Sequence, residues 1–514
     1  MAAPPDLISN QADAVLGTIV SLLPTRDGCR TQVLSRRWRH IWRSAPLNLA
    51  AGRRGRNGRL PDYNISKILS SHLGPVRRIH IIGIGPLWYR TRRHEVIDEA
   101  AGDARIDGWV GSWEVVAGLE VLDLCYSYHG EVLPPSVFRL APALRVASFT
   151  RCHLPANLVV DFPCLERLSL YSVTLTEEAL CAMLSGCPAL RSLLLEKNVG
   201  FERLRISSPT LRSIGFYYSR APKAQELVIH DAPSLDRLLL LDLDFGYPSS
   251  RNTIRLVHAP KLKILGWLSN TMSQLHLGTT VFQNMIAASL TTTMPAVKVL
   301  ALDYVGPDLD PVLDILRCFT CLESLYISKR NDVSLTTTIP TVKILALEYK
   351  CPDLDAVLNF LKCFSCLQRL YIRFDTWAYR PCLSNHPPKY MENVRKYALP
   401  DDPVECLKFH LKKVAIKVYY GRGMEVEFAR FFVLNAEVIE KMEFGLIDDP
   451  KDDFRVTQNT LLQLEDRASR DARFEFKKLT SNSFSNKHKH THDMSMADPI
   501  GPTFWDGYVT LFEV

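Results

Sequence analysis

The sequence predicts a protein of the α+β and α/β repeat class, built from three parts in order along the chain. A short segment of three helices comes first, an irregular solenoid of strand-containing repeats follows, and a smaller α/β unit comes last. Three observations give this prediction. The first 48 residues carry short apolar stripes of helical period, the pattern L-x-x-L-x-L recurs between residues 118 and 373, and mixed strand and helix patterns appear from residue 403.

The composition is that of a soluble globular protein: 514 residues, of which 47% are hydrophobic and 23% charged. Since no run of about 18 uncharged apolar residues appears, we expect no membrane span and no membrane partner. The start "MAAPPDLISN" lacks the features of a secretory signal, which predicts a cytoplasmic or nuclear protein. Thirteen cysteines, an odd number, are then expected to be reduced core residues.

The first helix is predicted at about Asp13 to Leu22, because an apolar stripe of helical period ends at Pro24. Thr25 is predicted to cap a second helix, and Ser35 a third. The expected buried residues of the second are Cys29, Val33 and Leu34, and the third carries Trp38, Ile41 and Trp42 on its apolar stripe. Three such short helices bury little surface, so large apolar groups should be left for a partner to cover.

The stretch "VLGTIVSLLPTRDGCRTQVLSRRWRHIW" resembles the F-box of plant proteins, in which a helix ending in Leu-Pro precedes "TRD…RT…LSRRWR…W". The resemblance places an F-box at 7–48 and implies docking onto the acidic adaptor of an SCF-type ubiquitin ligase, and through it onto cullin and RING subunits. The implied adaptor contacts are Leu16, Ile19, Leu23, Pro24, Val33, Leu34, Trp38 and Trp42. The chain departs from the family at Gln11 and Ala12, where Leu and Pro are usual.

Charge leaves other functions open for this segment. Ten arginines and one acid, Asp27, lie between Arg26 and Arg59, which suits either an acidic protein or nucleic acid. A helix-turn-helix is disfavoured because the tryptophans lie on the apolar stripe and no helix offers base-reading side chains. A basic run near Arg53, "GRRGRNGR", is the remaining nucleic-acid candidate, and a small helical domain serving only the chain's own fold is another alternative. We therefore predict a protein partner and no nucleic acid.

The middle of the chain is predicted to be a leucine-rich-repeat solenoid at 76–375, between linkers at 49–75 and 376–402. Prolines two residues ahead of the motif are spaced by 21 to 27 residues, the spacing of such repeats. Each copy should give one short strand, and stacked copies share a core. The copies begin at Leu119, Leu144, Leu165, Leu190, Leu211, Leu235, Leu262, Val297, Leu322, Val342 and Leu367, with an earlier one at Val76. The region resembles the irregular repeats of plant F-box proteins.

The target-binding residues are predicted on the concave side of the solenoid, where side chains between the leucines point. Tyrosine and arginine are enriched among them, as at the energetic centres of protein interfaces. For any single residue, ordinary solvated surface is the alternative. The candidates are Arg167, Tyr171, Glu196, Tyr217, Arg237, Tyr326, Arg369, Tyr371 and Arg373.

Two C-x-x-C pairs lie in a unit that is duplicated with an offset of 45 residues and has a helix at about Leu309 to Leu316. Four thiolates can hold zinc, but these pairs lack glycine-rich knuckles and occupy repeat positions. We predict core residues and no metal. The cysteines are Cys318, Cys321, Cys363 and Cys366.

The C-terminal unit is predicted at 403–476. Leu411, Val414, Ile416 and Val418 alternate as in a strand, Gly421 and Gly423 form a turn, and a helix at about Glu425 to Asn435 and a second strand follow. The order "P…EC…LK…V…E…FA…L…A…E…M" resembles the FBD domain. We predict that this unit caps the last repeat, whose apolar edge would otherwise be exposed. Residues 477–514 are predicted to be a disordered tail, and we expect no metal at His488, His490 and His492.

No phosphate loop, zinc-protease motif, nucleophile elbow or dinucleotide fingerprint occurs, so we predict a non-catalytic protein without cofactors. The predicted function is the substrate-recognition subunit of an SCF-type cullin-RING E3 ubiquitin ligase, with the F-box binding the adaptor and the repeats binding an unknown target. The alternative is a leucine-rich-repeat binding scaffold with a degenerate F-box and no ligase role.

Overall fold

The computed structural model describes residues 8, 10–52, 65–84, 118–127, 129–139, 142–217, 225–241, 252–269, 272–287, 292–304, 310–329, 338–349, 354–374, 404–479 and 490–498. Within these ranges the chain forms two compact units, Met1–Ala232 and Pro233–Val514.

The first unit begins with short helices whose bounds follow local signals. These are α1 Asp13–Leu22, α2 Thr25–Arg30, a 3-10 turn Thr31–Val33, and α3 Arg36–Ser44. The bounds of α1 are those predicted, and Ser35 caps α3 as predicted by accepting a hydrogen bond from the Trp38 amide at 3.4 Å. Further helical segments of this unit are α4 Ile65–Ser71, α5 Glu177–Ser185 and a 3-10 turn Pro135–Arg139.

The main sheet of the first unit is entirely parallel, with strand order β1-β2-β3-β5-β7-β8-β10. Its strands are β1 Leu47–Gly52, β2 Val76–Ile84, β3 Val121–Tyr126, β5 Val146–Thr150, β7 Arg167–Tyr171, β8 Ser192–Glu196 and β10 Ser213–Tyr217. Two parallel pairs lie outside it: β4 Glu131–Val132 with β6 Cys152–His153, and β9 Arg203–Ser207 with β11 Glu226–Asp231. The predicted linker at 49–75 thus holds most of β1 and all of α4, because Leu49 and Ala51 point into the core.

The second unit continues the same design, with the parallel order β12-β14-β18-β19-β20-β21-β22-β23-β24. These strands are β12 Arg237–Leu241, β14 Ile264–Ser269, β18 Val299–Tyr304, β19 Ser324–Lys329, β20 Ile344–Tyr349, β21 Arg369–Phe374, β22 Lys413–Lys417, β23 Lys441–Leu446 and β24 Arg473–Lys478. A smaller sheet contains β13 Thr253–Leu256, β15 Gln274–Leu277, β16 Thr280–Gln283 and β17 Ile286–Ala287.

The helices of the second unit lie between these strands. They are α6 Asp310–Arg317, α7 Leu354–Cys363, α8 Glu405–Phe409, α9 Gly423–Asn435, α10 Asp452–Leu461 and a 3-10 turn Leu464–Asp466. Helix α6 falls one residue later than predicted, and α9 begins two residues earlier. None of the helices in the described ranges is both long enough and apolar enough to cross a membrane.

The predicted repeats are the strands of the long sheets. The first position of all eleven L-x-x-L-x-L copies is buried, and in each copy the strand begins two residues after that position. In several copies, and again between strands of the C-terminal segment, the residue after that first position forms an ion pair with its counterpart in the neighbouring strand unit. Such exposed pairs contribute about 0–1 kcal/mol each, so the buried leucines hold the stack together. The pairs are Arg77–Glu120, Arg145–Glu166, Lys263–Asp236, Lys298–Glu323 and Lys412–Glu440.

The C-terminal segment extends the sheet of the second unit. Strand β22 pairs in parallel with β21 from Arg369↔Lys413 to Arg373↔Lys417, and β23 and β24 follow. Strands β21 and β22 share a register without a break, so β22 covers the edge that the last repeat would otherwise expose.

Candidate functional site

The N-terminal helices present an apolar surface to solvent. Its members are Val15, Ile19, Leu22, Leu23, Val33 and Leu34, which we call the N-terminal face. Val33 is 85% and Leu34 64% exposed, so the expectation that they form the buried side of α2 is wrong. They lie in and just after the 3-10 turn at Thr31–Val33, whose tighter winding shifts side chains relative to an α-helix. The exposure of several large aliphatic groups within one short segment is typical of a protein-binding surface.

Two of the predicted contact residues belong to the core. Leu16 is fully buried and Trp42 nearly so, and the Trp42 ring packs edge-on against His72 at 5.7 Å between ring centroids. They support the helices and cannot touch a partner without repacking, which corrects their assignment as contacts. Trp38 is half-buried, whereas Ile19, Leu23 and Pro24 are exposed.

Exposed arginines lie in the same three-helix segment as the N-terminal face. Arg26, Arg30, Arg36, Arg37, Arg39 and Arg43 are exposed, whereas the acidic side chains beside them are Asp13 and Asp27. Arg37 donates to the Asp13 carboxylate at 2.7 Å and to the Gln11 carbonyl. The N-terminal helices therefore carry exposed apolar side chains together with an excess of positive charge, a combination that in general favours acidic protein surfaces.

Thr25 joins these helices to the first strand of the sheet. Thr25 is buried and does not cap α2, contrary to the prediction. Its hydroxyl instead donates to the Asn48 carbonyl at 2.7 Å and accepts from the Ala50 amide at 2.8 Å. The Asn48 side chain donates in turn to the Ser21 carbonyl. His72, whose pKa is lowered by burial, contacts the Ala45 carbonyl through Nε2 at 2.8 Å. Hydrogen bonds thus attach the helices that carry the N-terminal face directly to β1.

The predicted target-binding residues of the first unit differ in exposure. Arg167 is exposed and Tyr171 half-buried, with the Lys197 ammonium 5.9 Å from the Tyr171 ring centroid. Glu196 and Tyr217 are buried. The strand register nevertheless brings Tyr171 and Glu196 together, and Glu196 lies beside Tyr217.

In the second unit, Arg237, Tyr326, Tyr371 and Arg373 are buried, and Arg369 is exposed. Arg373 lies 3.8 Å from the Glu348 carboxylate, and the Lys413 ammonium lies 5.5 Å from the Tyr371 ring centroid. Burial of residues on the sheet face opposite the leucine core was not expected. For Arg237 and Tyr326, it results from residues 490–498.

Residues 490–498 differ from the disordered tail predicted for 477–514. His490 and Thr491 are buried, and Arg237 contacts main-chain carbonyls of this segment. His492 is half-buried, and His488 lies outside the described residues. The segment lies more than 250 residues from Arg237 along the chain, so no local pattern could reveal the contact.

Sequence reasoning also missed Asn198. In "LRSLLLEKN" this residue follows the motif as L-x-x-L-x-L-x-x-N, the asparagine position of leucine-rich repeats. Its buried side chain accepts from the Val173 amide at 2.8 Å and donates to the Leu170 carbonyl at 3.1 Å. It thereby satisfies two main-chain groups where the chain leaves the neighbouring strand.

The cysteine pairs divide between core and surface. Cys318 and Cys363 are buried at the ends of α6 and α7, and burial raises the pKa of each thiol to about 11. Cys321 is exposed and Cys366 is half-buried. Among the residues that the structure describes, no group of three or more His, Cys, Asp or Glu side chains is placed to hold a metal ion.

The Gly421 turn organises the C-terminal unit around a buried polar network. Glu425, at the start of α9, is fully buried and accepts from the amides of Tyr420 and Gly421 at 2.7 and 2.8 Å. Gln458 of α10 donates to the Gly421 carbonyl at 3.0 Å and accepts from the Tyr419 hydroxyl at 2.7 Å. Because Glu425, Gly421, Tyr419 and Gln458 are buried, the network fixes α9 and α10 against the sheet.

Models of known protein families match most of the chain. A model of the leucine-rich repeats of the FBD-associated F-box protein At5g56370 matches residues 106–327 and 327–372, just over half of the chain, and the FBD model matches residues 399–444. The first match covers the long run of repeat strands, and the second covers β22, α9 and part of β23.

Individual proteins of Arabidopsis thaliana show the same similarity. The FBD-associated F-box protein At4g13985 is 30% identical over 253 residues, which are 46% of this chain and 52% of the relative. The F-box/LRR-repeat protein At4g14103 is 28% identical over 262 residues, 49% and 66% of the two chains, and the F-box/FBD/LRR-repeat protein At2g04230 is 29% identical over 283 residues, 51% and 52%. The matches thus span about half to two thirds of the curated relatives.

Proposed function

The chain belongs to the plant family of FBD-associated F-box proteins with leucine-rich repeats, and from this we propose that it is the substrate-recognition subunit of an SCF-type cullin-RING ubiquitin ligase. In this proposal the segment 7–48 is an F-box that binds the acidic adaptor, the repeats bind a target protein, and the FBD region at 403–476 caps the repeats. The cullin and RING subunits join through the adaptor.

The N-terminal face is the observation that carries the proposal. Its exposed aliphatic groups lie in the same short helical segment as six exposed arginines, which suits an acidic partner with an apolar contact surface. Leu34 and Val33 are the most exposed of these groups near α3, and Ile19 and Leu23 extend the patch along α1. We assign the adaptor contact to these residues together with Pro24 and Trp38.

The hydrogen-bonded connection between the N-terminal helices and β1 explains how this chain would orient a target. A target held by the repeats of the first unit keeps a defined position relative to the adaptor, because Thr25 and Asn48 bond the helices directly to the sheet of that unit. Holding a target lysine near a charged ubiquitin carrier raises the effective concentration of the two reactants. The covalent steps belong to the other subunits, and this chain supplies binding and orientation.

The contact assignment is tested by replacing Leu34 with aspartate. Leu34→Asp places a charge in the apolar patch, and we expect the dissociation constant for purified adaptor to rise about 30-fold, or about 2 kcal/mol, as at an interface hot spot. The measurement is biolayer interferometry with the full chain. Val456→Asp is the matched control, since Val456 on α10 is 66% exposed and distant in sequence. Equal affinities for the two variants would remove the N-terminal face from the interface.

The second candidate function is a repeat scaffold without a ligase role, and Gln11 and Ala12 are the observation that favours it. Both are exposed immediately before α1, where the family usually has Leu and Pro. The apolar patch is therefore smaller at this end by one leucine. Under this alternative the repeats still bind a protein, but the adaptor does not bind the wild-type chain.

A further inference from the structure

Residues 490–498 bind to the sheet face of the second unit through Arg237. The Arg237 guanidinium donates to the carbonyls of His490, Asp493 and Met496 at 3.4, 3.1 and 2.9 Å. Residues 490–492 are helical, so the His490 carbonyl lies in the last turn of a helix and the Asp493 carbonyl lies just beyond its end. Main-chain acceptors at a helix end lack partners within the helix. Arg237 therefore recognises the end of a helix and the turn that follows it.

Tyr326 holds the other end of the segment. Its hydroxyl donates to the Asp498 carboxylate at 2.5 Å, and the side chain is fully buried. Burial and the adjacent Asp498 charge raise the pKa of Tyr326, so the phenol remains a donor at physiological pH. One cationic donor and one phenol donor thus contact the segment at positions separated by up to eight residues.

The contacted face is the one that a repeat sheet leaves free. In β19, Leu325 and Ile327 point into the core, and Tyr326 points to the other side. In register with Tyr326 lie Ala301 on β18 and Ala346 on β20. Tyr326 is thus a large side chain between two small ones, all three are buried, and the Tyr326 hydroxyl is the donor that this row of residues offers to the segment.

We propose that the face around Arg237 and Tyr326 is a peptide-binding site whose ligand is a helix end followed within a few residues by a carboxylate, and that residues 490–498 occupy it as an internal copy of that ligand. This inference rests on the proposed function, in which the repeats bind a target. It assigns the target a chemistry: exposed carbonyls at the end of a helix for Arg237, and an aspartate or glutamate for Tyr326.

The internal segment competes with any external ligand of the same site. Ten residues, 480–489, connect Leu479 to the segment 490–498, and a connection of this length gives an effective concentration of about millimolar order. An external target must overcome that concentration to bind, so the segment lowers the apparent affinity for targets. Targets with several contacts along the repeats gain an advantage over isolated peptides.

The test separates the segment from the body of the folded chain. A seven-residue protease site replaces residues 481–487 in the full-length protein, which is purified and then cut. A fluorescent peptide of residues 488–514 is added, and its anisotropy is measured with the cut and the uncut protein. We expect saturable binding to the cut protein and at least tenfold weaker binding to the uncut protein, where the tethered segment competes.

A double-mutant cycle assigns the contact. Asp498→Ala in the peptide and Tyr326→Phe in the cut protein should each weaken binding, and the second change should have little further effect once the first is present. The proposal would be overturned by additive effects, by a cut protein that loses the fragment and shows no saturable binding of the peptide, or by unfolding of the protein on cutting. Adaptor binding is measured on the same samples, so retained adaptor binding with any of these results would reject this site and leave the proposed function standing.

Discussion

Replacing Asn198 with alanine is expected to lower the free energy of unfolding of the first unit by about 3 kcal/mol. The side chain satisfies the Val173 amide and the Leu170 carbonyl, and both residues are fully buried. Without it, two main-chain groups stay unpaired away from water, each at a cost of about 1–3 kcal/mol. The Asn198 carbonyl also accepts from Gln225 at 3.2 Å, so a shift of the main chain at this point affects the next repeat.

Hydrogen exchange measures this effect locally. Amides of β7 and β8 should exchange roughly 100-fold faster in Asn198→Ala, since about 1.4 kcal/mol corresponds to a factor of ten. Strands β20 and β21 of the second unit serve as the internal reference. The matched control is Asn157→Ala, because Asn157 is exposed. Exchange in β7 and β8 that stays within a factor of three of the wild type would show that Asn198 does not support the repeats.

Gly421→Ala is expected to destabilise the C-terminal unit by about 3–4 kcal/mol. Gly421 has φ +71, where a side chain costs about 1–2 kcal/mol. A Cβ there would also lie 2.5–2.9 Å from the Gln458 amide group. Moving Gln458 breaks its bonds to the Gly421 carbonyl and the Tyr419 hydroxyl, which leaves buried polar groups unpaired.

Gly423→Ala separates the two causes. Gly423 also has a positive φ, +43, but a Cβ there meets no atom within 4 Å. We therefore expect a loss of about 1 kcal/mol, from backbone conformation alone. The rate of amide hydrogen exchange in β22 and β23 measures the loss of stability in both variants. Equal losses for the two glycines would mean that the Gln458 network contributes nothing beyond the turn.

The sequence predicts the repeat strands well because the signal is periodic and local. Each first position of L-x-x-L-x-L is buried, and the glycine turn before α9 lies where the sequence pattern predicts it. The bounds of α1 follow equally from an apolar stripe and Pro24. Such features depend on neighbours a few residues away, which is the range that periodicity covers.

The partners of individual polar groups could not be predicted. Thr25 looked like a helix cap, but it bonds to Asn48 and Ala50, because packing of α2 against β1 brings those main-chain groups within reach. Val33 and Leu34 looked buried because an α-helical period was assumed through a 3-10 turn. The segment 490–498 looked polar enough to be disordered, and its burial depends on Arg237 and Tyr326, far away in sequence.

The central claim is that the N-terminal face binds an SCF adaptor. Calorimetric titration of purified adaptor into the full-length chain tests it most directly, with a Gln11→Leu/Ala12→Pro variant beside it. Proline suits position 12, since Ala12 has φ −63. We predict a one-to-one complex of the wild-type chain with a dissociation constant of about micromolar or tighter, changed little in the variant. No heat of binding with the wild-type chain, together with clear binding by the variant, would contradict the account and indicate a scaffold whose F-box has lost its partner.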